Sequence, residues 1–175
     1  MTIVLYILGG LVLLILFLAI IAPKSYSVSR TIEIAKPKTE VFENLKFLKN
    51  HDAWSPWNKR DPNMEKKFTG TDGEVGATSY WNGNKDVGEG EQEITKIVDG
   101  ERIESELRFL KPWKSTSDAY LTTESIGADT TKVTWGFSGK NTFPNSIFML
   151  FMNMDKAVGG DFEEGLASLK SILEG

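Results

Sequence analysis

The chain opens on an unbroken apolar run. Ile3 to Ala22 reads IVLYILGGLVLLILFLAIIA and holds no charged residue. A helix crossing the hydrocarbon core of a bilayer needs about 20 apolar residues, which this run supplies. It has no polar face, so it does not read as the buried helix of a soluble core. A cleaved signal peptide is the competing reading. Against it stand the absence of Lys or Arg before the run and the position of Pro23 directly after Ala22. The stretch is also longer than the usual apolar region of about 7–15 residues. We therefore read residues 1–23 as a transmembrane anchor and residues 24–175 as one domain.

Beyond Pro23 the pattern changes. Ser27 to Ala35 alternates, with Val28, Arg30, Ile32 and Ile34 on one parity, and predicts a half-buried strand. Pro37 then stands near the first turn of a predicted helix reaching Leu48, with Val41, Phe42, Leu45 and Leu48 at helical spacing. His51 to Trp57, HDAWSPW, reads as a bend. From Met64 the period becomes two. Glu65 to Gly70, Val75 to Trp81, Val87 to Val98, Arg102 to Leu110, Trp113 to Ile126 and Thr131 to Ser138 read as successive strands. Their short links imply an antiparallel sheet with one wet face. Pro144 opens a helical segment rich in Met and Phe. Gly159-Gly160 is expected to loosen or kink it, and Asp161 to cap the next stretch. Phe162, Leu166, Leu169 and Leu173 form the closing stripe. The order is strand, helix, a run of strands, then a long C-terminal helix, which is an α+β domain.

Parity within the strands suggests which side is interior. In Val87 to Val98, Glu89, Glu91 and Glu93 share one face, so Gly88, Gly90, Gln92 and Ile94 should point inward. Two inward glycines leave volume that is either a cavity or the sign of bulges that bend the sheet. Trp57, Trp81, Leu107, Phe109, Trp135 and Phe137 take inward positions, with Ser79, Ser105 and Gln92 as polar companions. A few polar groups in an apolar wall are what a small-molecule pocket needs. Phe148, Met149, Phe151, Met152 and Met154 form a second candidate wall, since methionine adapts to varied apolar shapes. An ordinary buried helix and contact with the bilayer are the alternatives for that segment. The candidate ligand-binding set is therefore Trp57, Trp81, Gln92, Leu107, Phe109, Trp135, Phe137, Phe148, Met149 and Met152.

Composition narrows the chemistry. The net charge is -4, from 24 acidic and 20 basic residues, which argues against a nucleic-acid surface and weakly against docking to anionic lipid. The absence of cysteine excludes disulfides and thiolate chemistry, and a single histidine excludes multi-His metal sites. No phosphate- or dinucleotide-binding loop is present and no cofactor is expected. No catalytic residue can be assigned. His51 reads as a solvated helix-end histidine rather than a general base, which would need an oriented partner. Tyr80, Arg102, Arg108 and Tyr120 are polar groups that a pocket could use, but parity sets Tyr80 and Arg108 opposite the apolar face. Lys24, Arg30, Lys36 and Lys38 follow the apolar run, which puts a single-pass protein's domain in the cytoplasm by the positive-inside rule.

This order of elements resembles the helix-grip fold of the START-like (SRPBCC) superfamily, in its polyketide cyclase/dehydrase-like branch. The local carriers are the strand with Pro37, the WSPW bend at Trp54 to Trp57, and Gly73-Glu74-Val75-Gly76. Val87-Gly88-Glu89-Gly90 and Gly165-Leu166 with Leu169 are the others. The resemblance covers about Ser27 to Glu174 and implies a curved antiparallel sheet around a long C-terminal helix, with a cavity between them. Two functions are compatible with it. One is a membrane-tethered binding or carrier domain for a lipid, quinone or polyketide-like molecule. The other is a cyclase or dehydrase acting on a bound hydrophobic substrate. Fold does not choose between them, and nothing in the sequence names a protein partner.

Overall fold

The computed structural model describes residues 2–175. Thr2–Ile21 is one continuous helix, α1, with no buried side chain. It is long and apolar enough to cross a membrane. The chain then enters β1, Ser25–Ile34. Helix α2, Lys38–Lys46, follows and buries Val41, Phe42 and Leu45. A single 3-10 turn, Leu48–Asn50, leads into α3, His51–Trp54, and α4, Pro56–Arg60. The expected bend is thus two short helices. Ser55 is extended between them, and Pro56 starts α4 at a position where its missing N–H costs nothing.

Six strands come next: β2 (Glu65–Thr69), β3 (Thr78–Asn82), β4 (Glu89–Val98), β5 (Arg102–Lys111), β6 (Ser115–Gly127) and β7 (Thr130–Lys140). They form an antiparallel meander, and β1 closes it along the free edge of β7. The seven-stranded order is β1-β7-β6-β5-β4-β3-β2. The short helix α5, Asn145–Phe148, and the long helix α6, Met154–Glu174, complete the chain. This is the expected helix-grip architecture: a curved antiparallel sheet holding a long C-terminal helix.

Three local readings are corrected. The Met- and Phe-rich segment is not one helix. It ends α5 at Phe148 and passes through turns, and α6 starts only at Met154, where the Asn153 side chain accepts from the Lys156 N–H at 3.1 Å. Asn153, not Asp161, is therefore the cap. Gly159-Gly160 does not interrupt α6, which runs through it without a break. A Cβ at Gly159 would collide with the Arg30 guanidinium, which reaches from β1 to Asp155 at 2.7 Å and Glu163 at 2.5 Å. The glycine makes room for that clamp, while Asp161 pairs with Arg60.

The space between sheet and α6 is packed unevenly. At one end Ile34, Val41, Leu45, Ile94, Val133 and Leu169 form a filled core. At the other, Val28, Phe137 and Phe162 anchor a looser group that includes Trp57, Leu107, Phe109 and Trp135. Sheet registry fixes which end is which. Ser25 pairs with Lys140, Phe109 with Ser115, and Gly90 with Trp81, so the aromatic end is the one nearest α1.

Candidate ligand cavity

The cavity opens where the sheet carries small side chains across neighbouring strands. Ser79 on β3 pairs with Gln92 on β4, and Ser105 on β5 pairs with Ala119 on β6. All four line the cavity. Facing them, Trp54, Trp57, Val158 and Phe162 come from α3, α4 and α6. The cavity is open on one side and has a volume of about 250 Å³. Because small residues on the sheet meet aromatic rings on the helices, neither side fills the gap, and close packing is locally lost.

The glycine argument needs correction. Gly88 lies in the turn before β4, with φ 76°, and a Cβ there would come within 2.6 Å of the Lys111 carbonyl. It is required by the turn. Gly90 does face inward and is buried, but the Trp81 ring covers it, with Cζ2 only 2.6 Å from where a Cβ would sit. The ring from β3 fills the volume that the glycine vacates. A ladder irregularity at Glu89/Gly90 bends the strand there too. The void is made by the serines and Ala119 instead.

The walls are largely aromatic. Trp135 stacks on Phe162 with centroids 4.3 Å apart, and takes the edges of Trp54 at 5.1 Å and Trp57 at 5.8 Å. Phe109 bridges Trp81 at 6.1 Å and Phe137 at 6.4 Å. Trp57, Trp81, Leu107, Phe109 and Trp135 are only half-buried although they face inward. They border open space rather than packing partners.

A few polar groups interrupt this wall. Gln92 Nε2 donates to Ser105 Oγ at 3.2 Å. Lys66 pairs with Asp52 at 2.8 Å, and both line the cavity. Among the described residues the buried Trp54 indole N–H has no partner. His51 also lines the cavity, contrary to the solvated position expected. Its Nε2 lies 2.7 Å from the Leu45 carbonyl, which can only accept, so Nε2 carries the proton. Burial pushes its pKa below the usual value, against the opposing pull of that hydrogen bond, Asp72 and Asp52. The ring is therefore neutral at pH 7, with Nδ1 unprotonated.

Of the candidate residues, Trp57, Trp81, Gln92, Leu107, Phe109, Trp135 and Phe137 surround this one cavity. Phe148, Met149 and Met152 do not. Phe148 and Met152 are exposed, and Met149 lines a separate shallow groove beside Ser25 and Tyr26. The reason is the broken helix: only the part from Met154 onward lies along the sheet. Sequence reasoning missed Trp54, His51 and Ala119 as wall residues. For Ala119 the signal was a small residue opposite Ser105, visible only once the strands are in register.

The outer face of the sheet is polar, as the glutamates suggested. Arg108 takes Glu91 at 2.5 Å, Glu106 at 2.6 Å and Glu93 at 2.8 Å. Those bonds, with Glu106 contributing most, raise the guanidinium pKa further above its already high value. Tyr80 donates to Glu89 at 2.8 Å, and Arg102 lies over the Tyr120 ring. Tyr80, Arg102 and Arg108 serve the outer surface, while Tyr120 also borders the cavity.

A seven-stranded antiparallel sheet gripping a C-terminal helix over a partly filled aromatic interior defines a helix-grip protein. Solved structures share that architecture at low sequence identity. Norcoclaurine synthase from Thalictrum flavum, solved in complex with dopamine and hydroxybenzaldehyde, matches with TM-score 0.60 and 8% identity over 85% of this chain and 86% of its own. Ginseng major latex-like protein 151 from Panax ginseng matches with TM-score 0.57 and 13% identity over 85% and 97%. The Aha1 dimer from Colwellia psychrerythraea matches with TM-score 0.55 and 20% identity over 85% and 96%. These similarities establish the fold alone. No family model matches the chain, and no curated protein matches it in sequence.

Proposed function

We propose that the protein is a membrane-tethered binding or carrier domain for an apolar small molecule. In this reading α1 spans the bilayer as a single-pass anchor, and residues 24–175 form the ligand-binding domain on its cytoplasmic side. The observation that carries it is the cavity of about 250 Å³ walled by aromatic rings. Its size falls just under the ~300 Å³ lower end of drug-sized ligand sites. That favours a single ring system or one acyl chain, as in a quinone head, a fatty acid or a small polyketide, over a two-chain lipid. The norcoclaurine synthase structure, with the same fold, holds two molecules of single-ring size.

The polar groups suggest what else the ligand carries. An unpaired buried N–H costs about 1–3 kcal/mol. A ligand carbonyl or hydroxyl meeting Trp54 Nε1 would relieve that cost. Native mass spectrometry of the detergent-extracted full chain tests the reading. A retained apolar molecule with an oxygen acceptor is expected. No retained molecule, and no binding across fatty acids, quinones and aromatic polyketides, would overturn it.

His51 supports a second reading. A neutral imidazole in the cavity wall, its Nε2–H held by Leu45 O, leaves Nδ1 as a base. A cyclase- or dehydrase-type reaction needs little more than such a base and a shaped pocket. Turnover of an aromatic polyketide that His51→Gln abolishes without loss of binding is the outcome that would favour catalysis over carriage.

A further inference from the structure

The segment that failed to line the cavity has an unusual surface. Phe143, Phe148 and Phe151 are 63%, 68% and 83% exposed, and Trp113 in the β5–β6 turn is 78% exposed. Outside α1, these are the exposed aromatic residues among those described. In water such a group is unfavourable, and contiguous exposed apolar surface marks a contact.

Strand registry puts them at one level of the molecule. On β1 and β7, Ser25 pairs with Lys140, and the Asn141 N–H continues the ladder to the Lys24 carbonyl at 2.8 Å. The Asn141 side chain donates to the Pro23 carbonyl at 3.1 Å. On β6 and β7, Asp118 pairs with Ser138. Continued outward, these ladders bring Ala22, Phe143 and Trp113 into one row. Ala22 ends the apolar run and is buried, and α1 touches α5. The exposed aromatics therefore ring the point where α1 enters the domain.

A helix end of this kind sits at the boundary between hydrocarbon and headgroups, where amphipathic aromatic rings concentrate. Lysines accompany them. Lys24, Lys114, Lys140 and Lys156 are exposed at this end, and none has an ion pair among the described residues. Asp155 is engaged by Arg30 and Glu89 by Lys111, while Asp86 and Asp118 at this end are exposed without an ion pair among the described residues, so the free lysines outnumber the free acids. The net negative charge of the chain thus hides a local cationic collar suited to acidic headgroups.

We propose that this end of the domain, with Trp113, Phe143, Phe148 and Phe151, is seated in the headgroup layer of the bilayer that α1 spans. The domain is then held flush against lipid rather than swinging on a tether. The Trp81, Phe109 and Phe137 part of its cavity wall lies at the end nearest that surface. The inference rests on the reading of α1 as a membrane span, and the test separates the two.

The chain has no cysteine, so single labelled cysteines read without background. The full chain is placed in lipid nanodiscs with an environment-sensitive fluorophore at Leu13→Cys, Lys114→Cys, Thr142→Cys or Asp99→Cys. These positions leave all four aromatic residues intact, and Asp99 lies in the turn at the opposite end of the sheet. Quenching is read with brominated lipid from the bilayer and with iodide from water. The expected result is lipid quenching at 13, 114 and 142, with several-fold weaker iodide quenching there than at 99. Iodide access at 114 and 142 equal to that at 99, with 13 still quenched by lipid, overturns the seating and leaves the span. Iodide access at 13 overturns both. Shielding of 114 and 142 without lipid quenching means that protein, such as a second copy of the chain, covers the patch, and this also overturns the seating.

Discussion

The edge of the Trp135 ring packs close to α6 at Gly165, where a Cβ would come within 2.7 Å of the ring's Cζ3. The glycine lets the indole stack on Phe162 and form the floor of the cavity. Gly165→Ala should push the ring toward the void. Overpacking a well-fitted contact costs about 1–3 kcal/mol. A lowered thermal midpoint together with weaker binding of any cavity ligand is the expected outcome, read by calorimetry and titration.

The two glycines in α6 make a paired prediction. Gly160 is exposed, with nothing within 4 Å of a Cβ, so Gly160→Ala should stabilise by the helix-propensity difference of ~1 kcal/mol. Gly159→Ala gains the same propensity but displaces Arg30 from Asp155 and Glu163. The steric conflict with a buried position should outweigh the gain. Opposite shifts in denaturant midpoint are expected, and equal stabilisation would mean that the Arg30 clamp does not constrain the helix.

His51 makes stability pH-dependent. Its folded pKa lies below 6.5, so between those two values the unfolded chain binds more protons than the folded one. Stability is then full above the unfolded pKa and falls as pH drops through the window toward the folded pKa. The slope cannot exceed about 1.4 kcal/mol per pH unit for one group. His51→Gln should flatten unfolding curves measured between neutral and mildly acidic pH.

Much of this was legible from alternation alone. Glu89, Glu91 and Glu93 want water, and that fixed the polar face of β4 and, through pairing, the inward face of its neighbours. The registers that join Ser79 to Gln92 and Ser105 to Ala119 were not legible, because periodicity orients a strand without aligning it to its partner. His51 needed tertiary information too: it depends on the chain reversing after α2 so that the ring reaches Leu45 O. Phe148, Met149 and Met152 misled for a different reason. Apolar residues at helical spacing read as an inner wall, but the same composition fits a surface whose solvent is lipid.

That distinction predicts a contrast between variants. Phe109→Ala removes a ring between Trp81 and Phe137 and should weaken ligand binding by about tenfold or more, on the scale of ~1.5–3 kcal/mol for an apolar side chain. Phe148→Ser and Met152→Ser lie outside the cavity and should leave affinity in detergent unchanged. Equilibrium titration of the full chain with one apolar ligand compares all three. A loss at Phe148 or Met152 equal to that at Phe109 would return the segment to the cavity wall.

The most direct measurement fills the cavity. Ala119 lies on the sheet side of the void, opposite Ser105. Ala119→Phe should occupy the space that a ligand would take while leaving the outer face of the sheet unaltered. Binding of a fluorescent fatty acid to the wild-type chain and to Ala119→Phe is measured by titration in the same detergent. Circular dichroism melts check that both are folded. Saturable binding to the wild type, with loss in the folded variant, is the predicted result. Equal binding to both, or none to either, would contradict an interior built to hold a small apolar molecule.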